Sequence, residues 1–380
     1  MSFKLTDKVT WVGKIDWELR RFHGDEYSTH KGSSYNSYLI RDKKTVLIDT
    51  VWKPFDKEYV ENLKREIDHS GSLPLLMKEI PDTPIYCTSN GKKILKGHYH
   101  EDWNFVEVKT GDTLDIGDST LTFVEAKMLH WPDSMMTYMS GDNILFSNDA
   151  FGQHYASELM FNDLVDQAEL FAECIKYYAN ILTPFSTFVT KKIEEVLSFN
   201  LPLNMIATSH GIIWRDNPAQ IVEKYMEWAN AYQENQITIV YDTMWNATRR
   251  MAEKIAEGIK SVDKDVAVKL YNAANTDKND IITEIFKSKA ILFGSSTVNK
   301  TIMHATSGIL EMVKGLGFKN KKAAAFGSYG WSGESVGILE EKIKAAKLDV
   351  VQDGLKILWV PDDEGMETCK DFGKSFVEKL

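Results

Sequence analysis

Residues 240–248 read VYDTMWNAT and decide the fold of the second half of the chain. They follow an apolar run at 237–240 and lead into the helical periodicity of RRMAEKIAEGI at 249–259. The loop between them carries hydroxyls at both ends, Thr243 and Thr248, and lacks both the lysine of a Walker loop and the GxGxxG dinucleotide pattern. The stretch predicts a buried strand, a phosphate-binding loop and a helix N-terminus.

Four further apolar runs alternate with helices in the remainder of the chain. VAVKLYN (266–272), AILFGSS (290–296), KAAAFGS (322–328) and LKILWV (355–360) read as strands, and helices are predicted over 281–287 and 334–346. Five short strands alternating with helices are the signature of a doubly wound parallel sheet. We therefore expect an α/β domain over residues 236–380.

Ligands of such a sheet lie beyond the carboxyl ends of its strands, where three loops are expected to meet. One is a phosphate loop, one is polar, and one combines glycines with aromatic side chains, which together fit a flavin mononucleotide (FMN). The alternative is a flavodoxin-shaped domain of the response-regulator kind, with no cofactor. The candidate cofactor-binding residues are Thr243, Met244, Trp245, Asn246, Ala247, Thr248, Ser295, Ser296, Thr297, Val298, Asn299, Ser328, Tyr329, Gly330 and Trp331.

Residues 1–235 mix short strands with isolated helices and predict a separate, two-sheet layered α/β domain. The strands are VTWVGKIDW, SYNSYLIRD, TVLIDTV, TPIYCTS, NILFSND and a run over 104–126 with Gly-Asp turns at 111–112 and 117–118. Helical periodicity covers 55–66, 164–181, 191–197 and 217–231. A plain hinge near residue 235 is expected to join the two domains.

Composition excludes several classes of protein. A net charge of −10 argues against a nucleic-acid partner, and no apolar run approaches the roughly 18 residues of a membrane span. The N-terminus lacks the apolar core of a signal peptide, so a cytoplasmic protein is expected. The three cysteines, Cys87, Cys174 and Cys369, form no CxxC pair and indicate buried free thiols rather than a zinc or rubredoxin-type iron site.

Several segments resemble the flavodiiron proteins, and the resemblance covers essentially the whole chain. FGSYGWSGES (326–335) and VYDTMWNAT are similar to the flavodoxin-like domain of that family. STHKGSSYNSYLI (28–40), MLHWPDSM (128–135), FSNDAFGQH (146–154) and SHGIIWR (209–215) are similar to its preceding metallo-β-lactamase-like domain. The resemblance implies an αββα diiron domain at 1–235, followed by the FMN-binding domain.

The resemblance also implies a set of metal ligands. His130 matches the family's later histidine, Asp149 its bridging carboxylate and His210 its last histidine. Two irons close together need such a bridging carboxylate, terminal imidazoles and one open face for a diatomic gas. Asp133 is a candidate acceptor for His130, and His23 and His154 are candidates to line the pocket. The remaining implied ligands, Glu66, Asp68 and His69, match the last three positions of the family motif HxExDH.

The chain departs from the family at the first position of that motif, which is Lys64. A predicted helix over 56–65 runs directly into the motif, where the layered fold requires a strand. Three explanations stay open: the sequence omits a segment, the protein is a natural or engineered deletion that binds metal weakly or not at all, or another group replaces the missing ligand. The first is favoured, because deleting an interior strand leaves neighbouring backbone unpaired. Glu66 then belongs to the helix end.

The function implied by the resemblance is reduction of dioxygen to water, of nitric oxide to nitrous oxide, or of both. Electrons would pass from a small carrier such as rubredoxin through FMN to the diiron site. A head-to-tail homodimer, alone or paired into a tetramer, would bring the FMN of one subunit to the irons of the other. The alternatives are a metal-depleted flavoprotein in electron transfer or redox sensing, and a dizinc β-lactamase-like hydrolase.

Overall fold

The computed structural model describes residues 2–59 and 73–380. The chain divides into two compact units. The first unit comprises Met1–Tyr178 and Phe185–Ala229, and the second comprises Ala179–Pro184 and Asn230–Leu380. Among the described residues, no helix is long and apolar enough to cross a membrane.

The first unit is built on two larger sheets and three short strand pairs. One larger sheet has the order β1-β2-β7-β8, and the other has the order β11-β12-β13-β14-β15. The short pairs are β3 with β6, β4 with β5, and β9 with β10. The strands are β1 Phe3–Lys4, β2 Val9–Trp11, β3 Lys14–Asp16, β4 Arg21–Phe22, β5 Tyr27–Ser28, β6 Ser33–Tyr35, β7 Tyr38–Arg41, β8 Thr45–Ile48, β9 Ile85–Cys87, β10 Phe105–Glu107, β11 Thr113–Asp115, β12 Thr120–Glu125, β13 Met135–Met139, β14 Ile144–Asn148 and β15 Met205–Thr208.

The two larger sheets share one hydrophobic core. Trp11 and Tyr38 of the first sheet pack in the same buried cluster as Met139 and Phe146 of the second sheet, and the rings of Tyr38 and Phe146 lie 5.2 Å apart. Two sheets that bury one face each against the other form a layered sandwich. This arrangement agrees with the two-sheet domain expected from the sequence.

The helices of the first unit lie between the predicted strands, but their first and last residues differ from those predicted from the sequence. The expected helix over 164–181 begins later, because Asp166 caps it by accepting from the Glu169 N–H, and it passes into a π-helical turn at Tyr178–Leu182. The expected helix over 191–197 begins five residues earlier, at Ser186. The helices are α1 Leu73–Glu79, α2 Ser89–Tyr99, α3 Gln167–Tyr177, α4 Ser186–Ser198 and α5 Ala219–Ala229, with 3-10 turns at Lys53–Phe55, Asn162–Leu164 and Thr183–Phe185.

Two strand edges flank the part of the chain that lies outside the described residues. Within the described ranges, β8 pairs with β7 alone, and β9 pairs with β10 alone. Val46, Leu47 and Ile48 of β8 are only partly buried, whereas Leu39 and Ile40 of the neighbouring β7 are completely buried. The outer edges of β8 and β9 are therefore where a further strand would add to these sheets.

The second unit is a parallel sheet with the strand order β17-β16-β18-β19-β20, in which β21 also pairs with β19. This is the order of a doubly wound sheet, as the sequence predicts. All five predicted strands are present, and β20 is an addition. The strands are β16 Glu234–Asp242, β17 Ala267–Asn272, β18 Ser288–Ser295, β19 Lys322–Tyr329, β20 Asp349–Val350 and β21 Leu355–Leu358.

Five helices cover this sheet. α6 and α10 pack on the apolar face formed by Ile237, Ile239 and Leu292, and they contribute Met251, Ile255 and Phe376 to the same core. α6 and α10 cross closely through glycine, because a Cβ on Gly258 would lie 2.0 Å from the Lys370 carbonyl oxygen. The helices are α6 Ala247–Val262, α7 Lys278–Lys287, α8 His304–Leu316, α9 Glu334–Ala345 and α10 Asp363–Val377.

Candidate metal and cofactor sites

Three of the predicted metal ligands lie at one end of the second sheet of the first unit. Asp149 directly follows β14, and His210 lies two residues after β15. Because β14 and β15 are parallel neighbours, both side chains reach the same sheet edge. His130 lies in the loop between β12 and β13, and this loop brings its ring to the same carboxylate.

Asp149 faces two imidazoles at once. Its Oδ2 lies 3.5 Å from His130 Nε2, and its Oδ1 lies 3.6 Å from His210 Nε2. Each carboxylate oxygen is therefore directed to a different histidine. The side chains are mostly shielded, with exposed fractions of 13% for each histidine and 17% for Asp149.

Hydrogen bonds fix the orientation of two of these side chains. The Ser34 carbonyl accepts from His210 Nδ1 at 2.8 Å, so the proton is on Nδ1 and the Nε2 lone pair faces Asp149. Ser209 Oγ donates to Asp149 Oδ1 at 2.6 Å. Hydrogen bonds of this kind hold ligands of a metal site in the correct tautomer and orientation.

The distances fit a metal between each imidazole and its carboxylate oxygen. Two ligand atoms that are each about 2.1 Å from one ion, at an angle near 110°, lie about 3.4 Å apart. The separations of 3.5 and 3.6 Å match that value. The residues present therefore fit two ions bridged by one carboxylate.

The surroundings of His130 keep its imidazole in the form that binds metals. Burial lowers the pKa of His130, although the charge of Asp149 opposes this shift, and the neutral ring can donate a lone pair to a cation. The Asp133 charge acts on His130 in the same direction as Asp149. No hydrogen bond joins Asp133 to His130 within the described part of the chain, so its role as an acceptor for that ring stays a prediction.

Both histidines predicted to line the pocket lie near these three side chains. His23, at the tip of the β4–β5 hairpin, has its ring 6.0 Å from that of His130. His154 has its ring 5.7 Å from that of His210. Phe22 packs between them, with ring distances of 4.5 Å to His23 and 4.6 Å to His154. The hairpin therefore supplies one wall of the site.

Asp49 is a further acidic residue near the site that the sequence analysis did not single out. It follows β8 directly and adopts a left-handed backbone conformation, with φ of 59°. Desolvation raises its pKa to about 7, and the nearby charge of Asp149 adds to the rise. The strand-end position after TVLI is the signal that would have identified it.

The other three predicted ligands, Glu66, Asp68 and His69, lie outside the described residues, as does Lys64. The structure therefore brings together His130, Asp149 and His210, and the other three assignments stay predictions.

In the second unit, the three predicted loops meet through their hydroxyl groups. Thr248 Oγ1 lies 2.9 Å from Ser296 Oγ and 2.8 Å from Ser328 Oγ. The Thr297 N–H donates to the Ser328 carbonyl at 2.9 Å. One residue of each loop thus takes part in a single buried cluster at the carboxyl edge of the sheet.

The first of these loops prepares the N-terminus of α6 for an anion. Asn246, at the N-cap, has φ of 64°, and its side chain makes no capping hydrogen bond. The first backbone N–H groups of the helix are therefore directed at the loop, where a phosphate would bind. Trp245 and Trp331 are 84% and 90% exposed at the same edge, and such aromatic faces suit a flat ring system.

The structure adds features to this edge that the sequence analysis missed. Trp359 follows β21, and its N–H donates to the Tyr329 carbonyl at 2.7 Å, so a fourth loop joins the third. At this edge, three buried polar atoms have no hydrogen-bond partner among the described residues: Asp242 Oδ2, Thr243 Oγ1 and Glu334 Oε2. Asp242 and Thr243 lie where β16 ends, and Glu334 begins α9. Unsatisfied donors and acceptors around a phosphate loop fit a ligand with phosphate and hydroxyl groups.

Comparisons with known proteins match both units. The family described as Flavodoxin matches residues 239–373, and the ODP family beta lactamase matches residues 34–211. An anaerobic nitric oxide reductase flavorubredoxin from Klebsiella pneumoniae is 56% identical, over 100% of this chain and 82% of that protein. The protein of the same name from Salmonella typhi is 55% identical, with the same coverage.

Solved structures of similar proteins also match the whole chain. Rubredoxin oxygen:oxidoreductase from Desulfovibrio gigas has a TM-score of 0.94 and 34% identity, over 100% of this chain and 98% of its own. The flavodiiron protein from Giardia intestinalis has a TM-score of 0.90 and 31% identity, over 100% and 96%. These matches confirm the predicted fold, a metallo-β-lactamase-like unit followed by a flavodoxin-like unit.

The alignment with the Klebsiella protein is longer than this chain. It runs over 396 positions, 16 more than the 380 residues of this chain. At least 16 positions of the alignment therefore hold no residue of this chain.

Proposed function

Because the chain belongs to the flavodiiron proteins, which are oxidoreductases, we propose that it reduces nitric oxide to nitrous oxide. Dioxygen, reduced to water, is the proposed second substrate. The curated relatives are named nitric oxide reductases, and one structural relative is named an oxygen oxidoreductase. The electron donor proposed is a small rubredoxin-type protein.

The observation that supports this proposal best is the position of Asp149 between two imidazoles. A carboxylate whose oxygens face His130 Nε2 and His210 Nε2 at 3.5 and 3.6 Å suits a dinuclear centre. His130, Asp149 and His210 would hold two irons next to each other, and such a pair would supply the redox chemistry for two small molecules side by side. A single-ion site needs no such bridge.

The chemistry assigns a task to each unit. Reduction of two nitric oxide molecules takes up two electrons and two protons and yields nitrous oxide and water. FMN, when bound, would accept electrons from the donor and release them singly. Thr248, Ser296 and Ser328 would hold the loops of its site, and Asn246 would present the helix N-terminus to its phosphate. In the first unit, Ser34 and Ser209 would keep His210 and Asp149 oriented.

The test is His210→Ala in the iron- and FMN-loaded protein. Loss of one iron ligand is expected to abolish nitric oxide and oxygen consumption, while the flavin is still reduced by a chemical donor. His98→Ala is the matched control, because His98 is exposed on α2, and it should retain full activity. Gas consumption by His210→Ala at the wild-type rate would exclude the diiron assignment.

A second candidate function is favoured by one set of observations. Lys64 stands in the first ligand position, and β8 and β9 have unpaired outer edges within the described ranges. A chain that lacks one strand and its ligands would be a flavoprotein that transfers electrons with little metal bound. Iron and FMN per chain, measured together with the intact mass, separate the two functions. Two irons at the mass of the 380-residue chain would exclude the second, and zinc without flavin would indicate the hydrolase instead.

A further inference from the structure

His154 is a buried histidine for which neither the ligand set nor the fold has assigned a task. It follows β14 by six residues, and its side chain is almost completely buried, with 5% exposed. Its ring is enclosed by Phe22 at 4.6 Å, Tyr177 at 5.1 Å and His210 at 5.7 Å. It therefore lies beside a proposed ligand, in a pocket walled by aromatic rings.

One nitrogen of His154 is held and the other is not. Nδ1 lies 3.0 Å from Ser33 Oγ. Nε2 is buried and has no hydrogen-bond partner among the described residues. The other contact of the Ser33 hydroxyl, to the Ser34 carbonyl, is long at 3.4 Å. The Ser33 hydroxyl therefore donates its hydrogen bond to Nδ1 of His154. Nδ1 is then the acceptor, and the ring proton is on Nε2.

Strand β6 fixes both imidazoles. Ser33 orients His154 through its hydroxyl, and the next residue, Ser34, orients His210 through its carbonyl. Two adjacent residues of one strand therefore determine how the His154 ring is placed relative to the His210 ring. A rotation of either ring would break a bond to this strand.

We propose that His154 is a positioning residue whose Nε2–H donates a hydrogen bond to an oxygen atom of the substrate at the metal site. This inference rests on the proposed function, because it requires a small oxygen-containing ligand beside His210. Buried ring N–H groups are rarely left unpaired, and Nε2 of His154 has no protein partner to accept from it within the described ranges. A ligand oxygen satisfies it.

The bond would strengthen as the reaction proceeds. Free nitric oxide and dioxygen are poor hydrogen-bond acceptors, but their oxygen atoms gain negative charge as electrons arrive. A fixed donor in a pocket shielded from water stabilises such developing charge more than the uncharged ground state. Removal of the donor is therefore expected to lower kcat more than it raises KM.

The first test reads the protonation of the ring directly and needs no metal. Long-range ¹⁵N–¹H spectra of protein labelled at histidine are expected to show the His154 proton on Nε2, with the signal assigned by its absence in His154→Gln. In Ser33→Ala, a mixture of the two tautomers is expected. A wild-type spectrum with the proton on Nδ1 would overturn the inference, because Nε2 could then only accept.

The second test uses ferrous iron and nitric oxide. His154→Phe keeps an aromatic ring of similar shape and removes the donor, whereas His154→Gln retains one. We expect the N–O stretching frequency of the nitric oxide complex to shift in His154→Phe and to return toward the wild-type value in His154→Gln. The corresponding loss of kcat is about 100-fold, as when one donor to a developing charge is removed.

The two tests distinguish a failure of the inference about His154 from a failure of the proposed function. If the wild-type protein binds ferrous iron but the frequency is the same in all three proteins, the inference is wrong and the proposed function stands. If the wild-type protein binds no iron, the proposed function fails, and the inference fails with it, whichever tautomer the spectra show.

Discussion

Lys321 is a buried lysine in the interior of the second unit. Only 3% of the residue is exposed. Its Nζ donates to the carbonyls of Phe286 at 2.7 Å, Ser288 at 2.6 Å and Tyr232 at 3.2 Å. All three ammonium protons thus have acceptors. The side chain ties the end of α7 and the start of β18 to the segment that enters β16.

The pH dependence of stability is expected to report on this lysine. Burial lowers the pKa of Lys321 from 10.5 to about 7. Between these values the unfolded chain binds the proton and the folded chain does not, so the free energy of unfolding rises with pH. Lys321→Met should remove this contribution between pH 7 and pH 9, in urea unfolding curves followed by circular dichroism. Lys319→Met, at an exposed position two residues away, is the control and should retain the wild-type slope; a wild-type slope in Lys321→Met as well would contradict the assignment.

At the scale of elements, the crossing of α6 and α10 depends on two glycines. A Cβ on Gly258 would meet the Lys370 carbonyl oxygen at 2.0 Å, and a Cβ on Gly373 would meet the Ile255 carbonyl oxygen at 2.2 Å. Both contacts are with backbone, which cannot turn aside as a flexible side chain can. The helices approach each other at a distance that no larger residue permits.

Gly258→Ala should therefore destabilise the protein in spite of the better helix propensity of alanine. The helices must separate, and overpacking of this kind typically lowers the free energy of unfolding by about 1–3 kcal/mol. The matched control is Gly308→Ala in α8, where a Cβ meets no described atom within 4 Å. At that position, the higher helix propensity of alanine alone should raise the free energy of unfolding by about 1 kcal/mol. Equal effects of the two substitutions in chemical denaturation would show that the crossing is not tight.

Strands of the second unit could be predicted because their β-branched and apolar runs are short and bounded by turn residues. Helix α8 could not be predicted, because its sequence contains Gly308, Gly315 and several hydroxyl residues, which have low helix propensity. The helix is stabilised instead by the burial of Ile309, Leu310 and Val313. The meeting of the three loops predicted to bind the cofactor follows from parallel topology and was predictable. The pairing of each Asp149 oxygen with one imidazole was not, because it depends on loop conformation around His130.

At the scale of the whole molecule, the proposed homodimer makes a prediction about electron flow. If electrons pass from the flavin of one subunit to the irons of the other, two inactive variants should complement each other. His210→Ala disables the metal site, and Thr243→Glu places a carboxylate in the phosphate loop and disables the flavin site. In a mixed dimer, the flavin of the first chain faces the intact metal site of the second.

Co-expression of the two variants should therefore restore activity to roughly a quarter of the wild-type value, since half the dimers are mixed and each has one working pair. Each variant alone is expected to be inactive. If transfer occurs within one chain, the mixed dimers gain nothing and the mixture stays inactive. Light scattering on the same samples gives the mass of the assembly.

The short segment Ala179–Pro184 belongs to the second unit, although the residues on both sides of it belong to the first. Asn180 exchanges side-chain hydrogen bonds with Asn279 and Thr283 of α7. Two separate segments of the chain thus contribute to the second unit. A single cut between residues 229 and 235 does not release the second unit from the N-terminal fragment. After such a cut by a protease, the two fragments should co-elute on gel filtration and separate only in denaturant, because the first fragment carries a segment that is packed into the second unit.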